Sequence, residues 1–330
     1  MKGSVDVKDR FASITVSNVQ GPTTISGGNG AVEVSDTATS TVNSSFGSVN
    51  ARNIHGDLTV NNNNGSIDAS TVSGSATLNG SFGTIAFTNV NGHVRCTSSN
   101  GRVKGGPVQE DVYVKTSFGD VQLEQIGGSV EVDDSNGAVT VREVKGHATL
   151  NTSFGAIDAT GIHKGAKATT GNGRISLNDI GGETYAKTSF GAINVQRVSG
   201  RLTLENSNGP VTANSVTGDT SAKTSFGSVT LDDIGGAINV DNQNGAVVLS
   251  AARQSSSCQN ITVKTSFSPI QVRLPGSAGY NLTARTSFGR INSELPVTST
   301  GQLGGDALNG KIGNGDVFLV GGSRFDGTEF

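Results

Sequence analysis

The apolar residues of this chain alternate with polar ones over short stretches and then pause at glycine. Gly119–Gly127 reads GDVQLEQIG and Gly128–Asn136 reads GSVEVDDSN, both fitting G-x-V-x-V-x-x-V-x. Alternation with a period of two marks a half-buried β-strand. Each unit therefore predicts a strand of about five residues closed by a Gly or Asn-Gly turn. A 3.6-residue apolar period is found nowhere, which excludes strands joined by helices.

Two such units form a stricter repeat. Phe46, Phe82, Phe118, Phe154, Phe190 and Phe226 follow one another in steps of 36, and so do Asn64, Asn100, Asn136, Asn172, Asn208 and Asn244. The Gly after each of them recurs every 18 residues from Gly47 to Gly245. Columns 18 apart are uniformly apolar. One runs from Val49, Ile67 and Ile85 through Val139 to Val247, and a second from Ile54, Val72 and Val90 to Ile234. A third mixes sizes: Val132, Leu150, Ala168, Ala186, Leu204, Ala222, Val240. A single coil cannot bury such faces, whereas stacked coils bury them continuously. The predicted fold class is all-β: a parallel β-solenoid (β-helix), right-handed by the default chirality of parallel connections, with 18 residues per coil and coils about 4.8 Å apart.

Charge separates an 18-residue coil from one of 36. One outward series reads Lys115, Asp133, Asn151, Thr169, Lys187, Glu205, Lys223, Asp241. With 18 per coil, Lys187, Glu205, Lys223 and Asp241 stack in alternating sign. With 36, Lys187 would stack on Lys223 and Glu205 on Asp241, which is unfavourable. The wider coil would also enclose a lumen that Val, Ile and Ala cannot fill. The 18-residue coil stacks Phe and Asn in one column, where Asn suits a left-handed turn and a phenyl ring could cover two coils.

Composition agrees with a turn-rich repeat over a thin core. Gly is 47 of 330 residues, apolar residues are 33%, charged residues 15%, and Trp is absent. The formal net charge of −3 argues against the basic face that nucleic-acid binding requires. No run is long and apolar enough for a membrane-spanning helix. Met1-Lys2 leads directly into repeat-like sequence, so neither a signal peptide nor an anchor is expected in this chain. The regular body is expected over 1–250. Residues 251–330 are expected to continue it with insertions at Ala251–Asn260, Pro275–Tyr280 and Leu295–Gly310 and then a cap, all in one structural domain.

The stretches TSFGDVQL (116–123) and SNGAVTV (135–141), with the ending Gly301-Gln-Leu and Leu308-Asn-Gly-Lys-Ile-Gly-Asn-Gly-Asp-Val-Phe-Leu, resemble the bacterial adhesin family of β-strand-repeat (β-helix) proteins of unknown function. The resemblance spans nearly the whole chain and rests on turn and strand signatures. It implies a β-helix presented in the cell envelope or outside the cell. It carries no catalytic motif.

Candidate chemistry is sparse. Gly127-Gly128, Gly181-Gly182 and Gly235-Gly236 lack the Asp offset of calcium-binding solenoid turns, and Gly313-Asn-Gly-Asp316 is a single loose match. His55, His93 and His147 each adjoin a turn glycine and His163 lies apart, so solvated corners fit them better than metal ligation. Cys96 falls in the third, inward column and Cys258 in an insertion. Nine coils separate them, so they are expected to be unpaired. Asp133-Asp134 and Asp232-Asp233 lack the cleft that a glycosidase pair needs. The serine column Ser81, Ser99, Ser117, Ser135, Ser153 lacks a nucleophile elbow. No cofactor and no metal are expected.

The column Thr116, Asp134, Thr152, Thr170, Thr188, Asn206, Thr224, Asn242 is expected to form a flat polar stripe beside the charged series. Thr116, Thr152, Thr188 and Thr224 on it are the candidate binding residues, for a glycan or another extended polymer. On this reading Val139→Asp costs several kcal/mol and Thr116→Asp little. The expected function is that of a non-catalytic rigid solenoid serving adhesion or spacing. A scaffold or filament that self-associates through coil edges is the alternative, and a carbohydrate-active β-helix comes third.

Overall fold

The computed structural model describes residues 3–251, 259–274, 279–287, 291–299, 307–312 and 317–323, the last by its backbone. Cys258 and Gly313–Asp316 lie outside the described residues. The described chain contains strands and no helix. It divides into two units, Met1–Thr170 and Gly171–Phe330.

In each unit successive strands alternate between two parallel sheets, and each strand pairs with the one a full coil later. In the first unit Val121 lies opposite Val139, and Val139 opposite Ile157. On the other sheet Val112 lies opposite Val130, and Val130 opposite Ala148. In the second unit Ile193 faces Val211 and Val211 faces Val229. The protein is thus an all-β parallel β-solenoid with 18 residues per regular coil. One early coil is a residue short: Thr23 pairs with Ser40 and Val32 with Val49.

The two strand types bury different positions. In Leu202–Asn206, residues one, three and five point inward, as strict alternation requires. In Val139–Val144, residues one, three and six are buried. The break is made at position five, where the backbone enters the left-handed region: Asn18, Asp36, Asn53, Thr71, Asn89, Gln125, Glu143, Asp179, Arg197, Ser215 and Asp233 have φ of 52–58°. That residue turns the strand through a corner and returns the next side chain to the core. The valine and isoleucine columns are buried as expected, Val139, Ile162 and Ile193 completely. At about 1.5–3 kcal/mol for each buried aliphatic side chain, these columns dominate the stability of both units.

The 18-residue glycine has a steric cause. A Cβ on Gly155 would lie 1.7 Å from the carbonyl oxygen of Gly137 in the coil before, and one on Gly119 1.9 Å from that of Gly101. The backbone itself fills the place of a side chain at this corner.

Two irregularities matter. Around the Gly106-Pro107 bond the strand shortens to Val103–Gly105, yet Val108 still bridges Val90 and Ile126 and keeps its column. In the second unit the pairing step lengthens so that Val247 faces Ile270. The strand Val317–Ser323 then pairs in parallel with both Ile261–Thr265 and Tyr280–Thr286. Tyr280–Thr286 also pairs antiparallel with Ala307–Ile312. The C-terminal segment therefore leaves the one-coil-per-step order.

Candidate functional site

Each regular coil has a corner at a Phe-Gly or Asn-Gly segment, and three columns meet there. The first is the threonine and asparagine column, which the sequence reading places on the surface. The structure overturns that placement: Thr116, Thr152, Thr188 and Thr224 are 2–7% exposed. The reason is parity. Each sits two residues beyond an inward strand residue, within the strand at Thr188 and Thr224 and one residue past its end at Thr116 and Thr152, so alternation turns it inward too.

Inside, these side chains tie the corners together. Thr188 Oγ1 donates to the Gly173 carbonyl at 3.1 Å, and Gly191 N donates back to Thr188 Oγ1 at 3.3 Å. Thr152 does the same with Gly137 at 3.4 Å and Gly155 at 3.2 Å, and Thr224 Oγ1 accepts from Gly227 N. Thr116 Oγ1 is buried without a partner. Replacing Thr116 by Asp would therefore bury a charge, so its cost is large and not small. Asp134 already carries that penalty: burial pushes its carboxyl above the ordinary aspartate value, and nearby Asp120 adds to the effect.

The second column is the charged series, which the structure aligns in register. Lys187 Nζ lies 3.1 Å from Glu205 Oε2. That hydrogen bond lowers the Glu205 carboxyl and raises the Lys187 amine. In early coils the same positions form an asparagine ladder, with Asn61 donating to Asn43 and Asn79 to Asn61, each at 2.8 Å. Such exposed ties add little each.

The third column, alternating Phe and Asn, is the one the sequence reading leaves without a role. Its phenyl rings point outward. Phe46, Phe82, Phe118 and Phe154 in the first unit are 61–63% exposed, and Phe11, at the same corner, 78%. Phe190, Phe226 and Phe267 are likewise exposed in the second unit. Phe118 N donates to Ser99 O at 3.0 Å, Asn136 N to Ser117 O at 3.0 Å, and Phe154 N to Ser135 O at 3.1 Å. Phe and Asn thus share one backbone geometry. The asparagines do not adopt the expected left-handed turn, which belongs to the opposite corner. Their side chains instead fold back: Asn64 Nδ2 donates to Ser45 O and Asn136 Nδ2 to Ser117 O. The available sequence clue was that these phenylalanines avoid the alternating positions and sit between Ser and Gly.

A shallow depression of about 380 Å³ lies elsewhere on the first unit, over His93, Arg95, Asp111, Tyr113, Glu131 and His147. Arg95 stacks over the Tyr113 ring at 4.5 Å, and His93 Nε2 lies 2.8 Å from Glu110 Oε2. His93 and His147 thus flank one depression, whereas Asp133, Asp232 and Asp233 are paired along their own columns. Asn151 Nδ2 donates to Asp133, Asn214 Nδ2 to Asp232, and Ser215 Oγ to Asp233. Among the described residues no group of three His, Cys, Asp or Glu side chains lies together in metal-binding fashion. Cys96 is buried in the third inward column, between Leu78 and Val114.

Comparison with protein-family models, with curated proteins and with solved structures gives no match. Fold and surface together define the class: a β-solenoid that, in each of its two units, exposes phenyl rings at one corner of the coil.

Proposed function

We propose that the protein is a rigid, non-catalytic solenoid with an adhesive or spacing role, in line with the adhesin resemblance and with display in a cell envelope or outside the cell. Its phenylalanine corner is the contact surface. One observation carries this reading. An apolar side chain stands exposed at the same corner of every second regular coil, on a backbone fixed by hydrogen bonds between coils. Large exposed apolar rows mark interaction surfaces, since solvation alone gives no reason to keep them.

The test is retention of the labelled full chain on beads coated with cellulose, chitin, peptidoglycan, collagen or the chain itself. The comparison is a variant with Phe46, Phe82, Phe118 and Phe154 changed to Ser, whose circular dichroism and melting must match the parent. Retention on any of these surfaces that the variant loses supports the reading. Equal retention of both chains overturns it, and so does polysaccharide turnover that a single carboxylate substitution abolishes.

A further inference from the structure

We infer that the phenylalanine corner of the first unit pairs with the same corner of a second copy of this chain, the rings of one interleaving with those of the other. The inference rests on the corner being the contact surface and names its partner.

Spacing is the first argument. Adjacent coils lie about 4.8 Å apart, and Phe alternates with Asn, so successive rings are about 9.6 Å apart. A ring set midway would lie about 4.8 Å from each neighbour, within the 4.5–7 Å range that aromatic pairs prefer. Each gap between rings is thus a slot for one more ring. The floor of the slot is an asparagine whose amide is folded back onto the backbone, as in Asn64 and Asn136. The sequence neighbours of four rings are small and uncharged: Ser45, Ser81, Ser117 and Ser153 precede them and glycine follows each, while Phe11 lies between Arg10 and Ala12.

Symmetry is the second. A two-fold axis perpendicular to the phenylalanine row brings two copies together antiparallel. A displacement of one coil then places four of the five rings of each copy opposite an asparagine of the partner copy's first unit, at position 29, 64, 100 or 136. The same patch serves both copies, so the contact is isologous and closes as a dimer.

Area is the third. At about 200 Å² per phenylalanine, Phe11, Phe46, Phe82, Phe118 and Phe154, exposed by 61–78%, present roughly 650 Å² per copy. A pair would withdraw at most about 1,300 Å² of ring surface from water, at the low end of the range of specific interfaces. A glycan or lipid surface could use the apolar row, but neither requires the empty slots.

The experiment is sedimentation velocity of the full chain across a concentration series. Three variants accompany it: the fourfold Phe→Ser chain, Phe118→Ser alone, and Asn100→Phe with Asn136→Phe. The last fills the slots on either side of Phe118 with the chain's own rings. A general apolar patch would then associate more tightly, whereas an interleaved one loses its slots. The expected result is a concentration-dependent dimer for the parent, a monomer for the fourfold variant, and association weakened at least about tenfold for the other two. A parent that stays monomeric, or slot-filled chains that pair as tightly as the parent, overturns the inference. If that monomer is still held on polysaccharide beads or phosphatidylcholine vesicles through the same phenylalanines, the contact surface stands and only its partner is wrong.

Discussion

Asn206 Nδ2 donates to the carbonyl oxygen of Gly191 in the preceding coil at 2.8 Å. The same amide also reaches Gly209 O at 2.8 Å, while its Oδ1 accepts from Gly209 N. Asn242 repeats the arrangement with Gly227 and Gly245, and Asn62 does so with Gly47 and Gly65 N but gives its second N–H to Ser66 O. The buried corner therefore presents two carbonyl acceptors and one N–H donor, and a carboxamide satisfies all three.

Asp134 occupies this position in the first unit and has no N–H to give. Its Oδ1 accepts from Ser135 N at 2.7 Å, but Oδ2 is buried without a partner. Burial raises its folded-state pKa above the ordinary 3.8. A carboxyl raised in this way contributes stability that is present below the unfolded value and is lost as pH rises through the folded one. Asp134→Asn should therefore stabilise the protein by about 1 kcal/mol near neutral pH, with the gain shrinking as pH falls toward 3.8 and below. Urea unfolding at pH 7 and pH 3.5 checks this. A gain of equal size at both would show that ionisation plays no part.

Gly155 is held to glycine by contact. Its missing Cβ would meet Gly137 O at 1.7 Å, whereas at Gly3 an added Cβ meets nothing within 4 Å. Gly155→Ala is expected to cost about 2 kcal/mol or more, as a backbone carbonyl must move to make room. Gly3→Ala should leave the melting temperature unchanged. Equal melting temperatures for the two variants would mean that the coils can separate at this corner.

Much of this was legible from periodicity. The Val139 column, the 18-residue coil and the stacking of Lys187 on Glu205 follow from the repeat alone, because burial and charge both constrain what may stack. The inward direction of Thr116 follows from its parity with Val114, but polarity alone suggests exposure: a buried hydroxyl, bonded to a glycine carbonyl as at Thr188 or unpartnered as at Thr116, looks the same in sequence as a solvated one. The outward rings at Phe118 and its counterparts were not legible, because alternation says nothing of direction inside a turn. The pairing of Ile261 with Leu319 was equally hidden, since it joins segments far apart in the chain that carry no repeat register.

The left-handed corner offers a reciprocal pair. Thr71 has φ 56° and Asn89, one coil later, φ 55°. A β-branched residue is poorly suited to this region, while asparagine tolerates it. Thr71 is exposed at its corner, so exchanging it disturbs no core packing. Thr71→Asn should raise unfolding free energy by about 1 kcal/mol, and Asn89→Thr should lower it by a similar amount. Chemical denaturation of both variants checks the pair, and shifts of the same sign would contradict the assignment of strain to this position.

Cys96 provides a probe of the dry interior. Its side chain is fully buried, and desolvation pushes the thiol pKa up to about 12. Only the thiolate reacts readily with maleimides and disulfide reagents, so both access and ionisation oppose labelling in the folded state. In a Cys258→Ser background, which leaves Cys96 as the single thiol, the native protein should resist labelling at pH 8 while the protein in denaturant reacts fully. The native rate then reports opening of the coils around Leu78 and Val114, its register neighbours. Asp134→Asn should slow it wherever exposure of Cys96 requires global unfolding, because that variant raises the free energy of opening. Rapid labelling of the native chain would place Cys96 at the surface and remove the inward column to which it belongs.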